Sequence, residues 1–180
     1  MTIERSRMKK YIIVNGTMGA GKSTVGRRTA ELLGSAAFID GDFVIEMHPH
    51  IDEKETKAMQ RDNIYHISKN YRNFDKCDTV VLSWIMGEAG TDIMIKEITK
   101  LNFKIYHFIL TCNTEVLTQR WHDDHAADWR TDDNLNMAVD IANEFNKRTD
   151  CIFIDTSELS VDGAAKEIIG IVNRSERGTT

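Results

Sequence analysis

Short apolar runs recur along the chain, separated by longer stretches in which apolar residues return every three or four positions. The runs cover residues 11–14, 36–39, 79–83, 104–110 and 151–154. Most of them lack the polar alternation of half-exposed strands, which is typical of strands covered on both faces in a parallel sheet. We therefore predict five parallel strands.

The stretches between these runs show the periodicity of amphipathic helices. The first predicted helix starts at Lys22. The second starts at a capping-box-like segment, residues 52–55, and runs to Phe74. Three more helices are predicted at 91–101, at 134–147 and from Ser160 onward. Alternation of strands and helices predicts a doubly wound α/β domain. A single proline and the absence of a flexible linker favour one domain over residues 1–180, with a polar arm at 1–10 and a frayed tail at 175–180.

Composition and charge exclude several classes of function. The chain has 180 residues, 41% of them hydrophobic, and a net charge of −5, which disfavours nucleic acid and anionic membranes as partners. It contains no apolar run long enough for a membrane helix, and its basic start does not resemble a signal peptide. Three separated cysteines suit reduced thiols, so we expect a cytoplasmic protein, either a monomer or a homodimer.

A glycine-rich segment joins the first predicted strand to the first predicted helix. It reads G-x-x-x-x-G-K-S, the pattern of a loop whose backbone N–H groups cradle nucleotide phosphates while its lysine reaches the β- and γ-phosphates. The Ser23 hydroxyl is then a ligand for Mg²⁺. The residues predicted to bind ATP in this segment are Gly16, Thr17, Met18, Gly19, Ala20, Gly21, Lys22, Ser23 and Thr24.

Two carboxylates follow the second predicted strand, at Asp40 and Asp42. Residues two apart in an extended chain point the same way, and ligands of doubly wound sheets bind beyond the carboxyl ends of the strands. One carboxylate could therefore hold Mg²⁺ through water while the other accepts the proton of an attacking hydroxyl or orients it. A plain Asp-Gly turn is the alternative.

A phosphate loop followed about twenty residues later by Asp-x-Asp resembles the P-loop small-molecule kinases of the shikimate kinase and gluconate kinase group. Residues 39–42 followed by His48-Pro49 are also similar to adenylylsulfate kinases, although gluconate kinases have a shorter gap before their His-Pro. The resemblance covers residues 11–42 and, more weakly, 154–160. It implies a P-loop NTPase fold: a five-stranded parallel sheet in the order 2-3-1-4-5, helices on both faces and a small helical lid.

The resemblance also implies roles for individual residues. Catalytic roles would fall to Lys22 on the phosphates, to Asp40 and Asp42 on Mg²⁺ and the substrate hydroxyl, and to Arg120 in a lid over about 115–133. Arg130 is the second lid candidate, since the arginine expected shortly after Arg120 is absent. The loop after the last strand, with Thr156 and Ser157, would border the adenine.

Residues that could face an acceptor lie after the second and third strands. His48 and His50 follow the aspartate pair, and Trp84 occupies the position where motor ATPases keep an acidic residue. With Asp42 they form the expected acceptor site. We expect an ATP- and Mg²⁺-dependent kinase acting on a hydroxyl of a small polar metabolite or antibiotic. The alternatives are a nucleoside or nucleotide kinase, using Arg61 and Arg72, and a nucleotide-binding regulatory ATPase.

Overall fold

The computed structural model describes residues 8–49, 51, 53–124 and 130–177. Five strands lie in this part of the chain: β1 (Lys10–Gly16), β2 (Ala36–Asp40), β3 (Thr79–Ser83), β4 (Lys104–Thr111) and β5 (Ile152–Asp155). They pair in parallel in the order β2-β3-β1-β4-β5. The predicted strands and their order are confirmed.

Helices cover both faces of the sheet. They are α1 (Lys22–Leu33), α2 (Lys54–Arg72), α3 (Glu88–Thr99), α4 (Thr114–Asp123), α5 (Asp132–Phe145) and α6 (Val161–Arg177), with a 3-10 turn at Gly41–Phe43. Alternate residues of β1 separate the two sides: Tyr11 packs in a core with α2 and α3, whereas Ile12 packs in a core with α1 and α6. This three-layer arrangement is the P-loop NTPase fold.

Helix boundaries differ from the prediction by a few residues. Helix α2 ends at Arg72, so Phe74, which continues the apolar period, lies beyond the helix and is 53% exposed. Helix α3 begins at Glu88, directly after Gly87, whose backbone is still extended (φ −62°, ψ 173°). Thr131 caps α5 by accepting a hydrogen bond from the Asn134 N–H, so that helix also starts earlier than predicted.

Strand β5 lies at one edge of the sheet, where Ile152 and Phe153 are each more than one-third exposed. The apolar run of β5 therefore does not mean that this strand is covered on both faces, as was expected from its sequence. Helix α6 follows it, and Ser160 accepts a hydrogen bond from the Gly163 N–H at 3.1 Å, as expected of an N-cap. None of the helices in the described ranges is long and apolar enough to cross a membrane.

Candidate functional site

The phosphate loop connects β1 to α1 at the carboxyl edge of the sheet. Three of its glycines have positive φ angles: 141° at Gly16, 81° at Gly19 and 90° at Gly21. At Gly16 an added Cβ would also lie 2.6 Å from the carbonyl oxygen of Leu110. The curled backbone therefore requires glycine at these positions.

Asn15, the residue before the loop, is fully buried and ties it to the connection between β3 and α3. Its side-chain oxygen accepts hydrogen bonds from the backbone N–H groups of Gly16 at 2.8 Å and Met86 at 3.0 Å. Its amide nitrogen donates to the Met86 carbonyl at 2.8 Å and to the Thr91 hydroxyl at 3.3 Å. Asn15 was not predicted as a site residue, although a polar side chain inside an apolar strand was a visible signal.

Lys22 lies within the loop and is only 9% exposed. Its Nζ donates a hydrogen bond to the Thr17 carbonyl at 2.9 Å. Burial lowers the pKa of Lys22 to about 8, against the opposing effect of the Asp42 and Asp40 carboxylates. A cation that has lost much of its hydration and lies beside bare N–H groups is well suited to meet a polyphosphate.

A cavity of about 470 Å³, here called the loop cavity, opens over the phosphate loop. Its walls come from the loop and the start of α1, from α4 and the residues that follow it, and from the start of α6. The lining residues include Met18, Gly19, Ala20, Gly21, Lys22, Ser23, Thr24, Asp42, Arg120, Asp124, Arg130, Thr156 and Ser160. The loop cavity thus brings together most of the residues predicted to bind ATP.

Arg120 on α4 is held at the wall of the loop cavity. Its guanidinium donates hydrogen bonds to the Thr156 hydroxyl at 2.9 Å and to the Thr156 carbonyl at 2.7 Å. The predicted residue Ser157 does not line the loop cavity: its hydroxyl donates to Asp155 at 2.6 Å and accepts from the Asn113 N–H at 2.9 Å. The β5–α6 connection therefore contributes Thr156 to the cavity, and not Ser157.

Arg130, which lies just before α5, also lines the loop cavity. Its guanidinium lies 4.9 Å from the centre of the Trp121 ring and forms an ion pair with Asp124 at 2.5 Å. The aromatic face thus orients a cation toward the loop. Trp121 and Asp124 were not predicted as site residues, because nothing in their local sequence shows which way they point.

The phosphate loop is also anchored to α5, and through it to α4. The Thr17 hydroxyl donates a hydrogen bond to the carbonyl of Ala138 on α5, at 2.5 Å. Ala138 in turn packs with Leu117 and Trp121 of α4 in a small buried cluster. Thr17 and Gly16, both predicted to bind the nucleotide, shape the loop from behind and do not line the loop cavity.

The two predicted carboxylates lie at the end of β2. Asp40 Oδ1 accepts a hydrogen bond from the Asp42 N–H at 3.2 Å, which caps the 3-10 turn. Asp40 Oδ2 is buried and has no hydrogen-bond partner among the described residues. Asp42 lies at the cavity wall and part of the residue is exposed. Its carboxylate has lost part of its hydration to the surrounding protein, and this desolvation raises the pKa of Asp42. The Lys22 cation partly offsets the rise. The turn and the paired carboxylates are therefore both present.

Gly41, between the two aspartates, lies directly on the ring of Trp84. A Cβ on Gly41 would lie only 2.2 Å from Trp84 Cγ. Trp84 itself is 7% exposed and belongs to the core that packs under α2 and α3. The position of both carboxylates therefore depends on close contact between Gly41 and the indole.

We expect Gly41→Ala to displace the turn and to lower the free energy of unfolding by about 1–3 kcal/mol, as overpacking does elsewhere. Catalytic activity should fall with it, because Asp40 and Asp42 move with the turn. Gly170→Ala on α6 is the control, since a Cβ there meets only the end of the Arg174 side chain, at 3.3 Å, and Gly170 lies away from the aspartate turn and the loop cavity. Thermal unfolding and turnover measured on both variants test this, and equal behaviour of the two would contradict it.

A second cavity, here called the Trp84 cavity, has a volume of about 850 Å³ and lies beside the loop cavity. Asp42 and Met18 line both cavities. The predicted residues Trp84 and His48 line the Trp84 cavity, with His48 Nε2 3.3 Å from the Glu46 carboxylate. His50 lies outside the described residues.

The two arginines considered for an acceptor phosphate have different positions. Arg61 on α2 lines the Trp84 cavity. Arg72, at the end of the same helix, donates to the Leu101 carbonyl at 3.0 Å and lies over the Phe103 ring, and it does not line the cavity. The structure therefore brings one of the two arginines to the site.

Comparisons with known proteins are consistent with this geometry. A curated shikimate kinase from Actinobacillus pleuropneumoniae serotype 5b (strain L20) is 58% identical over 38 residues, so the match spans 21% of each chain. The structure of a gluconokinase from Sinorhizobium meliloti 1021 matches with a TM-score of 0.70 and 16% identity, over 96% of this chain and 97% of that one. The Deinococcus radiodurans tunicamycin resistance protein matches with a TM-score of 0.67 and 15% identity, over 92% and 96%.

These two structures share the fold of this chain, and the short shikimate kinase match agrees with the resemblance to P-loop small-molecule kinases. A family model described as an AAA domain matches residues 12–140, which is more than half of the chain. That range includes the phosphate loop, the aspartate pair, Arg120 and Arg130. The chain belongs to the AAA domain family, with the fold of the P-loop kinases.

Proposed function

We propose that the protein transfers the γ-phosphoryl group of ATP to a hydroxyl of a small molecule. The observation that carries this proposal is that two cavities meet at Asp42 and Met18. One lies over a phosphate-binding loop, and the other is large enough for a separate organic molecule. A carboxylate at their junction can contact both a terminal phosphate and an attacking hydroxyl.

In the proposed reaction the phosphates of ATP occupy the loop cavity. Backbone N–H groups of the loop and the cations of Lys22, Arg120 and Arg130 stabilise the charge on the transferring group. The acceptor oxygen bonds to the γ-phosphorus as the bond between that phosphorus and the β–γ bridging oxygen breaks, and ADP leaves. Asp42 orients the hydroxyl and accepts its proton, so most of the catalysis is positioning and charge stabilisation.

The residues present also fit a Mg²⁺ ion. Asp40 has a buried carboxylate oxygen without a hydrogen-bond partner in the described chain, and Ser23 lines the loop cavity at the start of α1. Carboxylate and hydroxyl oxygens are suitable ligands for a hard divalent cation, directly or through water. When bound, Mg²⁺ neutralises the charge of the β- and γ-phosphates.

The two alternative functions have less support. A nucleotide kinase needs several cations around the acceptor phosphate, and Arg61 and Lys57 are the cations that the described chain contributes to the Trp84 cavity. A regulatory ATPase without an acceptor gives no reason for a second cavity that shares Asp42 with the first. The kinase fold of the gluconokinase neighbour supports an acceptor substrate as well.

An ADP-release screen tests the proposal. Purified protein with ATP and Mg²⁺ is combined with sugar acids, polyols, nucleosides, nucleotides and antibiotics, a class suggested by the name of the tunicamycin resistance protein. We expect ADP to form with one class of acceptor and only slowly without it. The same rate of ADP formation in every sample, acceptor-free control included, would contradict phosphoryl transfer and favour the regulatory ATPase.

The dependence on pH follows from Lys22. Because its pKa in the free protein is about 8, kcat/KM for ATP should fall about tenfold per pH unit well above pH 8, as the cation is lost. Bound phosphates stabilise the protonated lysine, so kcat should hold to a higher pH. Steady-state kinetics between pH 6 and pH 10 separate the two parameters. A kcat/KM that stays constant to pH 10 would contradict this assignment.

A further inference from the structure

The walls of the Trp84 cavity are mainly apolar. Three methionines, at positions 18, 47 and 86, and the ring of Trp84 line it together with isoleucines. Phe43, at 83% exposure, presents a large apolar side chain at the same cavity. Exposed apolar side chains grouped around a cavity are a feature of binding sites.

The size and lining of this cavity do not match a compact polyhydroxylated molecule. Its volume of about 850 Å³ exceeds the 470 Å³ of the loop cavity and falls in the range of sites for drug-sized ligands. A sugar acid carries a hydroxyl on nearly every carbon, and each buried hydroxyl needs a hydrogen-bond partner. The methionine and isoleucine side chains provide no such partners, and they pack well against a hydrocarbon body. Polar side chains contribute the smaller part of the wall, and they are Asp42, Glu46, His48, Thr56, Lys57, Gln60 and Arg61.

Helix α2 adds a cationic group to this apolar surface. Arg61 is half-buried, lines the Trp84 cavity and makes no hydrogen bond or ion pair with any other described residue. Lys57, one turn earlier on the same helix, lines the cavity as well. A half-buried guanidinium without a partner among the described side chains is suited to a carboxylate or phosphate of a ligand.

We propose that the acceptor is an amphipathic hydroxylated molecule, with an apolar carbon body against the methionine-rich wall, an anionic group at Arg61 and the reacting hydroxyl at Asp42. This inference rests on the proposed phosphoryl transfer and specifies its substrate class. Methionine side chains are flexible and polarisable, so the cavity adapts to apolar bodies of different shape. The specificity then lies in the spacing between hydroxyl and anion.

Binding measurements on the nucleotide-free protein test the cavity apart from catalysis. The probes are ω-hydroxylaurate, its uncharged ω-hydroxylauramide, lauryl phosphate and gluconate, titrated by calorimetry. We expect ω-hydroxylaurate to bind at least tenfold more tightly than gluconate and than the amide. Lauryl phosphate distinguishes a phosphate from a carboxylate as the preferred anion.

Arg61→Gln should weaken binding of ω-hydroxylaurate about tenfold and leave binding of the amide unchanged. Arg72→Gln is the matched control on the same helix, outside the cavity, and should leave both unchanged. Tighter binding of gluconate, or indifference of the anionic probes to Arg61→Gln, would overturn the inference. If gluconate is also phosphorylated, the proposed phosphoryl transfer is supported and only the acceptor class is wrong. Tight binding of ω-hydroxylaurate without acceptor-dependent ADP would support the ligand class assigned to the cavity, but it would contradict the transfer and with it the role of that ligand as acceptor.

Discussion

Lys22→Met is expected to reduce phosphoryl transfer by about 10²–10³-fold, the effect of removing one donor that stabilises transition-state charge. Methionine keeps the length and most of the volume of the side chain, so the loop keeps its packing. The Thr17 carbonyl, which accepts from Lys22, also accepts from the Ala20 N–H at 3.3 Å and retains that partner. ADP formation with the best acceptor measures the loss.

The same substitution should leave the free energy of unfolding equal or raise it. The folded pKa of Lys22, about 8, lies below its ordinary value of 10.5, so between these pH values the unfolded chain binds more protons than the folded one. The buried cation therefore destabilises the ligand-free protein below pH 8, and this cost is relieved as the pH rises toward 10.5. Replacing Lys22 by methionine removes this destabilisation, so the free energy of unfolding at pH 7 should not fall.

Thermal unfolding of the ligand-free variant at pH 7, beside the wild type, checks this second expectation. Lys96→Met, at an exposed position on α3, is the control and should change neither turnover nor unfolding temperature. Unchanged turnover in Lys22→Met would contradict the role of the loop as the donor site. A large drop in its unfolding temperature would contradict the idea that the cation costs stability.

Asp42→Asn is expected to lower kcat by about 10²–10⁴-fold, the range for loss of a general base, with ATP affinity nearly unchanged. The amide keeps the shape of the carboxylate but cannot accept the proton of the acceptor hydroxyl. Since surrounding protein raises the pKa of Asp42, the wild-type rate should also fall on acidification at a higher pH than an ordinary aspartate would give. The variant should lack that acidic limb.

Asp40→Asn is the natural comparison, because its role is proposed to be on the metal. Its activity should recover as the Mg²⁺ concentration is raised, whereas that of Asp42→Asn should not. Kinetics at several Mg²⁺ concentrations, together with ATP binding by calorimetry, separate the two roles. If both variants recover with Mg²⁺, or if neither loses activity, the division between the two carboxylates is wrong.

The elements that could be predicted from the sequence depend on local signals. Apolar runs mark the strands because their residues are buried between two helical layers, as in β1 and β3. The glycine pattern of the phosphate loop is required by backbone geometry within eight residues. The order of the strands came from the resemblance to small-molecule kinases, since periodicity carries no information on which strands are neighbours.

The features that could not be predicted depend on contacts between distant segments. Asn15 and Met86 are 71 residues apart, and nothing near either residue indicates the partner. The contact between Gly41 and Trp84 is of the same kind. The lining of the Trp84 cavity combines apolar side chains from the loop, the segment after β2 and the β3–α3 connection with polar ones from α2. An amphipathic pattern does not reveal which face of α2 meets a cavity.

The hydrogen bonds of Asn15 constrain how such a protein can diversify. Any change of acceptor that shifts the Met86 peptide would withdraw support from the first residue of the phosphate loop, since one amide side chain holds both. Substitutions that retune acceptor choice should therefore accumulate on α2 and on the segment after β2, where side chains face the cavity without touching Asn15. Among relatives, the backbone conformation at Met86 should be retained wherever Asn15 and the phosphate loop are retained.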